Sequence, residues 1–315
     1  MKKTGIILVM TLAFIAMNAH LLAEDVLGCP KGIMKGTIWP RIDVSYTDAS
    51  RKFDFSTGEM VDIATGTGLQ KKTKTELGIR IGYGLTTKMD IGILAKFTNV
   101  KTEKLKNSQL TKTDESALTG LWLSAKYIFL DAAELKPFTY MKLSFGAGYK
   151  IPLCKDEDLI TKSVSNGADE LKSGFLTHGG IGPLDFAGHL LYWYRGQAKK
   201  VENTQVKPVY GKSGVELADR INYMFKFEYD IHPVIGLGAG VSGWTNLKKE
   251  KTWQNNTWFE EMFYIHKAAL SLEIRPYGLD YEKRKIFCHF GIPYSFKNNT
   301  VPDYTLKIGL MYTFY

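Results

Sequence analysis

The chain has 315 residues, of which 13% are aromatic and 23% charged, with a formal net charge of +9. That length accommodates one large closed domain and excludes a large barrel combined with a large plug domain. Beyond an N-terminal leader no apolar run approaches the eighteen or more residues a spanning helix needs, so no helical anchor is expected in the mature chain.

Residues 1–23 read as a secretory signal peptide. Lys2 and Lys3 are basic, Ile6 to Ala16 is almost wholly apolar, and Leu21-Leu22-Ala23 precedes the acidic pair Glu24-Asp25. Cleavage is expected after Ala23, with an uncleaved anchor as the alternative. Val26-Leu27-Gly28-Cys29 has the letters of a lipoprotein processing box. The acidic pair separates it from the apolar core, so lipidation at Cys29 is not expected. Residues 24–36 form a short segment that can tuck into a lumen, and 37–315 a single domain. Export makes nucleic acid an unexpected partner and directs the basic surplus toward anionic solutes or lipopolysaccharide phosphates. Cys29, Cys154 and Cys288 allow one disulfide without assigning it, and their spacing matches no metal site.

From Pro40 onward, apolar and polar residues alternate with period two, the rhythm of half-buried strands. The first segment carries Ile42, Val44 and Tyr46 on one face. The second (73–83) sets Leu77, Ile79, Ile81 and Tyr83 against Glu76, Gly78, Arg80 and Gly82. The third (88–101) sets Ile91, Ile93 and Phe97 against Asp90, Gly92 and Lys96. The fourth (116–129) points Leu121, Leu123, Tyr127 and Phe129 one way, with Lys126 opposite. The fifth (137–151) opposes Leu143, Phe145 and Tyr149 to Lys142, Ser144 and Lys150. A weak sixth (171–179) precedes a seventh (184–196) with Leu190, Tyr192 and Tyr194 opposite Asp185, His189, Trp193 and Arg195. The eighth (214–229) sets Ile221, Tyr223, Phe225 and Phe227 against Glu216, Arg220, Lys226 and Glu228. The ninth (233–245) lines one face with Gly236, Gly238 and Gly240. The tenth (262–275) opposes Leu270, Leu272 and Ile274 to Ser271, Glu273 and Arg275. The eleventh (285–297) aligns Cys288, Phe290, Ile292 and Tyr294, and the twelfth (302–315) aligns Tyr304, Leu306, Ile308, Leu310, Tyr312 and Phe314.

Twelve segments with one greasy and one polar face predict an all-β fold, a single antiparallel up-and-down transmembrane barrel; ten or fourteen strands remain open. Connections are short after even segments and mostly long and polar after odd ones, at 48–72, 102–115, 152–173, 197–213 and 246–261. That alternation fits short periplasmic turns and long outer loops. Aromatics near strand ends, among them Tyr83, Tyr127, Tyr229, Trp244 and Tyr294, are expected in interfacial girdles.

Lys307-x-Gly309-x-x-Tyr312-x-Phe314 resembles the assembly signal on the last strand of bacterial outer-membrane barrels, with Tyr315 as one extra residue. The resemblance implies the barrel-assembly machinery as a partner, besides outer-membrane lipid and lipopolysaccharide. Glu76 to Gly92, built around Tyr83-Gly84-Leu85-Thr86, resembles the strand–turn–strand signature of outer-membrane proteins named for the MetA pathway of phenol degradation, distant relatives of long-chain fatty-acid transporter barrels. Thr87 and Asp90 stand where that family favours Asp and Glu. The resemblance implies a barrel that passes small, including aromatic, solutes, and it carries over no binding residues.

The residues expected to line the lumen are Glu76, Arg80, Asp90, Lys96, Lys126, Lys142, Arg195, Glu216, Arg220, Lys226, Arg275 and Lys307. They read either as a pore with positive bias, since rings of Arg and Lys favour anions, or as a lattice of ion pairs filling a narrow barrel. Glu76/Arg80 and Glu216/Arg220 favour the lattice. Gly238-x-Gly240-x-x-Gly243 matches a dinucleotide fingerprint by letter, but no helix follows it. No catalytic residue and no cofactor is assigned. The expected function is an outer-membrane channel or facilitated-diffusion transporter for small solutes, anionic or aromatic. The alternatives are a structural or adhesive barrel acting through its outer loops, or a lipid-modifying hydrolase using Asp185 and His189. The purified mature chain is expected to stay folded and monodisperse only in detergent or lipid. Size-exclusion chromatography in plain buffer checks this, and a monodisperse folded peak there would overturn the barrel.

Overall fold

The computed structural model describes residues 33–54, 59–63, 69–106, 109–133, 136–153, 168–196, 215–254, 257–274, 284–297, 303–312 and 314. Twelve strands close on themselves: β1 (Ile38–Ala49), β4 (Leu69–Gly84), β5 (Met89–Lys106), β6 (Gln109–Ala133), β7 (Tyr140–Ile151), β8 (Glu170–Ile181), β9 (Leu184–Arg195), β11 (Arg220–His232), β12 (Ile235–Asn246), β15 (Tyr264–Ile274), β16 (Arg284–Lys297) and β17 (Tyr304–Tyr312). All neighbours are antiparallel, and the seam pairs β1 with β17 from Arg41↔Met311 to Asp48↔Tyr304. Phe314 lengthens the seam by exchanging both backbone hydrogen bonds with Ile38. The chain between strands adds two small sheets. One pairs β2 (Arg51–Asp54) with β3 (Glu59–Asp62); the other is β10 (Val215–Glu216), β13 (Glu250–Gln254) and β14 (Thr257–Glu261).

These twelve barrel strands are the alternating segments of the sequence, and their faces follow the same period. Ile79, Ile81, Ile93, Tyr127, Phe145, Phe175, Leu190, Phe227, Leu270, Ile308 and Leu310 all point outward and are exposed. Asp43, Arg80, Asp90, Lys126, Lys172, Glu228, Glu273 and Lys307 point inward and are nearly excluded from solvent. The arrangement is the inverse of a water-soluble protein. A continuous apolar belt this large is stable against acyl chains and not against water.

The structure departs from sequence expectation at three places. Residues 102–115 are not a loop: β5 and β6 stay paired to Lys106↔Gln109, well past the end of the β6–β7 ladder at Leu121↔Ile151. Neither face of this hairpin meets lipid or core, so the sequence lacks a period-two contrast there. Cross-strand pairs hold it instead, Lys101 to Asp114 at 2.8 Å and Lys112 to Glu103 at 2.8 Å. The eighth strand begins at Arg220, not 214. Val215 and Glu216 pair with Thr252 and Lys251 in the loop sheet, so Glu216 is not on a barrel strand, and its side chain lies outside the described residues. Trp244 shares inward parity with Gly238 and Gly240 and carries the Arg220 guanidinium at 3.6 Å, so it is a lumen residue and not a girdle residue.

Gly309 faces inward opposite Phe287, and a Cβ at this position would fall within the Phe287 ring. The Arg41 guanidinium rests on that ring 4.0 Å from its centroid, so the space is already taken. Gly309→Val is therefore expected to destabilise the barrel by about 1–3 kcal/mol through overpacking, read as a lower temperature of heat-modified migration on gels. Adding Phe287→Ala should recover most of the loss; no recovery would assign Gly309 to assembly and not to packing.

Candidate functional site in the barrel lumen

The lumen is built by the inward residues of every strand, and cross-strand neighbours lie within reach of long side chains. On β1, Asp43 sits among three cations: Arg41 Nε at 2.7 Å, Arg80 Nε of β4 at 2.9 Å and Lys307 Nζ of β17 at 3.7 Å. On β5, Asp90 pairs with Lys126 of β6 at 3.0 Å, and both side chains are almost fully buried. The same carboxylate accepts a hydrogen bond from the Ile33 backbone N–H at 3.1 Å. Ile33 therefore enters the short-turn end of the barrel, where it and Trp39 are buried, while residues 34–36 stay exposed. Gly84 permits that close approach, because a Cβ there would collide with the Met34 carbonyl. Gly36 N–H donates to the Gly84 carbonyl at 2.8 Å.

On β11, Lys226 reaches Glu228 at 2.8 Å and Glu273 of β15 at 3.4 Å. The inward glycines of β12 serve this cluster. A Cβ on Gly240 would press on Lys226, and one on Gly238 would meet Ser271. Glu76 pairs with Lys74 at 2.8 Å and with Lys96 of β5 at 3.1 Å, and Lys142 reaches Asp131 at 3.1 Å. Arg80 thus takes Asp43, and Glu76 takes Lys74 and Lys96, so the pairing is not the one along the strand that Glu76/Arg80 suggested. Residues four apart on a strand are separated by about 13 Å, against about 7 Å for residues two apart and about 5 Å for facing residues, so Glu76 takes Lys74 on its own strand and Lys96 across the ladder.

Near the long-loop end, Lys150 of β7 reaches Glu170 of β8 at 2.7 Å, and Trp193 Nε1 donates to the same carboxylate at 2.8 Å. Lys172, Arg195 and Arg220 gather around Trp122, Trp193 and Trp244. At the opposite end Tyr140 donates its hydroxyl proton to Asp185 at 2.7 Å and lies 3.1 Å from His178 Nε2. His189 lies 2.8 Å from Asn222 Oδ1. Asp185 and His189 therefore have different near partners, and the structure does not bring them together as a catalytic pair. Cys288 is a free, outward thiol on β16. Arg275, Cys29 and Cys154 lie outside the described residues. Among the described residues no cluster of His, Cys, Asp and Glu could hold a metal ion.

Sequence periodicity placed Arg80, Asp90, Lys126 and Lys307 on the inward face where they are buried, but it misassigned Glu216 and did not find the tryptophan row. Trp193 was expected inward, Trp244 outward, and Trp122 carried no assignment. The parity of Gly238 and Gly240 would have placed Trp244 correctly.

No family model and no curated protein matches this chain. Among solved structures, it resembles an outer membrane channel from Pseudomonas putida F1 with a TM-score of 0.69 at 11% identity, covering 94% of this chain and 100% of that one. The NanC porin aligns over 86% of this chain and 98% of its own at 9% identity, with a TM-score of 0.45. The KdgM porin aligns over 87% and 99% at 9% identity, with a TM-score of 0.43. The first of these likenesses establishes a shared barrel fold.

Lys126→Met removes the buried partner of Asp90 and is expected to cost about 3–5 kcal/mol. The double variant Asp90→Asn/Lys126→Met should recover most of that loss. Urea unfolding of the refolded barrel in detergent measures both, and equal losses in the single and double variants would contradict the pairing.

Proposed function

We propose that the protein is an outer-membrane channel or facilitated-diffusion transporter for small solutes, reached by secretion and removal of residues 1–23. The observation that carries this reading is a closed cylinder with an apolar outside and an ionic inside, in which cations outnumber carboxylates along the wall. That bias favours anions, and the likeness of residues 76–92 to the phenol-degradation family adds aromatic solutes as a class. Lipid and lipopolysaccharide surround the belt, and the last strand serves the barrel-assembly machinery through Lys307, Gly309, Tyr312 and Phe314.

The waist is packed: Asp43, Arg80, Asp90, Lys126 and Lys307 leave almost no solvent-exposed surface. In this proposal residues 24–36 serve as a small plug; the part of it that is described, residues 33–36, meets the barrel through Ile33 N–H to Asp90 and Gly36 N–H to Gly84. Solutes pass when that segment withdraws and the side chains of the lattice exchange partners. An adhesive role through the outer loops is the second reading, favoured by the β5–β6 hairpin that, with β4 beside it, rises beyond β7.

Planar-bilayer recording tests the proposal. The mature chain is expected to give small discrete conductance steps, and deletion of residues 24–36 is expected to enlarge them several-fold. Silence at every voltage from both forms would move the assignment to the adhesive reading.

A further inference from the structure

Outward residues of four neighbouring strands meet at the long-loop rim of the apolar belt. Tyr223 of β11 faces Gly243 of β12, and Gly243 faces His266 of β15, each directly across a ladder. Gly243 offers no side chain, so Tyr223 and His266 reach over it, and the Tyr223 hydroxyl lies 2.8 Å from His266 Nδ1. A Cβ on Gly243 would collide with His266 Nδ1 and with the Ile265 carbonyl. The register between β15 and β16 slips at this point. His266 faces Ser295 and Lys267 faces Pro293, which leaves Tyr294 as the extra residue of a bulge. The Tyr294 hydroxyl lies 3.5 Å from that of Tyr223. The His266 ring stacks with Tyr264, centroids 5.5 Å apart, and with Tyr294 at 6.1 Å.

An ordinary girdle ring is held only by the boundary between membrane and water; these rings are held by one another. Of the two groups in contact, the phenol is the stronger acid and the imidazole nitrogen the stronger base. Tyr223 therefore donates to Nδ1, and the ring N–H of His266 sits at Nε2. That N–H and the Tyr264 hydroxyl have no hydrogen-bond partner among the described residues. Tyr264 and His266 are half-buried, and Tyr294 is 56% exposed. Donors fixed in direction, beside ring faces fixed by stacking, suit a ligand that presents acceptor oxygens next to a rigid saturated ring. Toward the membrane the same face continues as Phe225, Val241 and Ile292, all exposed and apolar. The cluster is thus continuous with the lipid-facing belt, and a ligand that also carries acyl chains fits both parts.

We propose that this cluster is a binding site for the phosphorylated sugar headgroup of lipopolysaccharide. His266 Nε2 and the Tyr264 and Tyr294 hydroxyls donate to phosphate oxygens, the Tyr294 ring carries the sugar, and the acyl chains run down over Phe225, Val241 and Ile292. Gly243 and Tyr223 are positioning residues that hold the His266 ring. The site deepens the reading above, in which lipopolysaccharide surrounds the belt, and rests on it for the outward direction of the long loops; it does not require conduction.

A ligand that binds only the folded barrel raises its unfolding temperature by mass action, read from heat-modified migration on gels. Lipid A carrying both phosphates, added to detergent micelles of the mature chain, is expected to raise that temperature saturably. Phosphatidylglycerol and inorganic phosphate at the same phosphate concentration are expected to give no saturable rise. His266→Phe keeps the ring, removes the donor and should weaken lipid A about tenfold. Tyr294→Leu should weaken it as well, and decides if His266→Phe does not fold. The site is overturned by a parent that does not saturate, or by an equal response to phosphatidylglycerol or inorganic phosphate. It is also overturned if the deciding variant folds and binds lipid A as the parent does. Planar-bilayer recording keeps the two readings apart. A parent silent at every voltage that still binds lipid A loses the channel and keeps the site, and a conducting parent with no lipid A response does the reverse.

Discussion

A peptide group left without a partner in hydrocarbon costs several kcal/mol, and everything else in this molecule depends on how that cost is avoided. A sheet in lipid cannot end in an edge. The ladder between β1 and β17, lengthened by Phe314 against Ile38, removes the last two edges. Once that seam is closed, the pleat fixes which side chains face the membrane and which face inward. A slip of one residue at the seam would exchange the two sets, placing Asp43 and Lys307 in lipid. The seam is thus a hydrogen-bonding device and also the reason the interior is ionic.

Packing so much charge inside a narrow cylinder has a structural logic of its own. Some carboxylates of the short-turn half are shared among several donors, as Asp43 is among Arg41, Arg80 and Lys307. Pairing of this kind offsets desolvation only while the geometry holds, so the lattice favours one arrangement of the wall over its neighbours. The long-loop half adds aromatic faces to its carboxylate, with Lys172 and Arg220 resting on indoles beside Glu170. Carboxylates dominate the contacts of one half and indole faces join them in the other.

Much of this was legible from residue order, for a physical reason. Lipid outside and ions inside impose opposite demands on adjacent residues, so wherever a strand crosses the membrane its alternation is strong. All twelve barrel strands carry that signal, β17 most clearly. Where the surroundings are the same on both faces, as for residues 102–115, the alternation vanishes and strand looks like loop. Pairing was less legible than facing: Glu76 and Arg80 share a face, but which cation each carboxylate takes depends on register, which period two does not encode. Trp244 was misplaced because an indole near a strand end suits either a membrane boundary or a cation partner, and only the parity of Gly238 and Gly240 tells them apart.

The paired extension of β5 and β6 has a consequence for how much of the chain can vary. Twelve residues of β6, Gln109 to Gly120, lie beyond the point where β7 stops, a reach of about 40 Å at strand rise. Unlike an unpaired loop, a cross-braced ribbon of that height keeps its orientation relative to the barrel wall. Because Lys101–Asp114 and Lys112–Glu103 brace it and β4 flanks it to Lys104, its sequence can change at positions outside these pairs while the wall below stays unchanged.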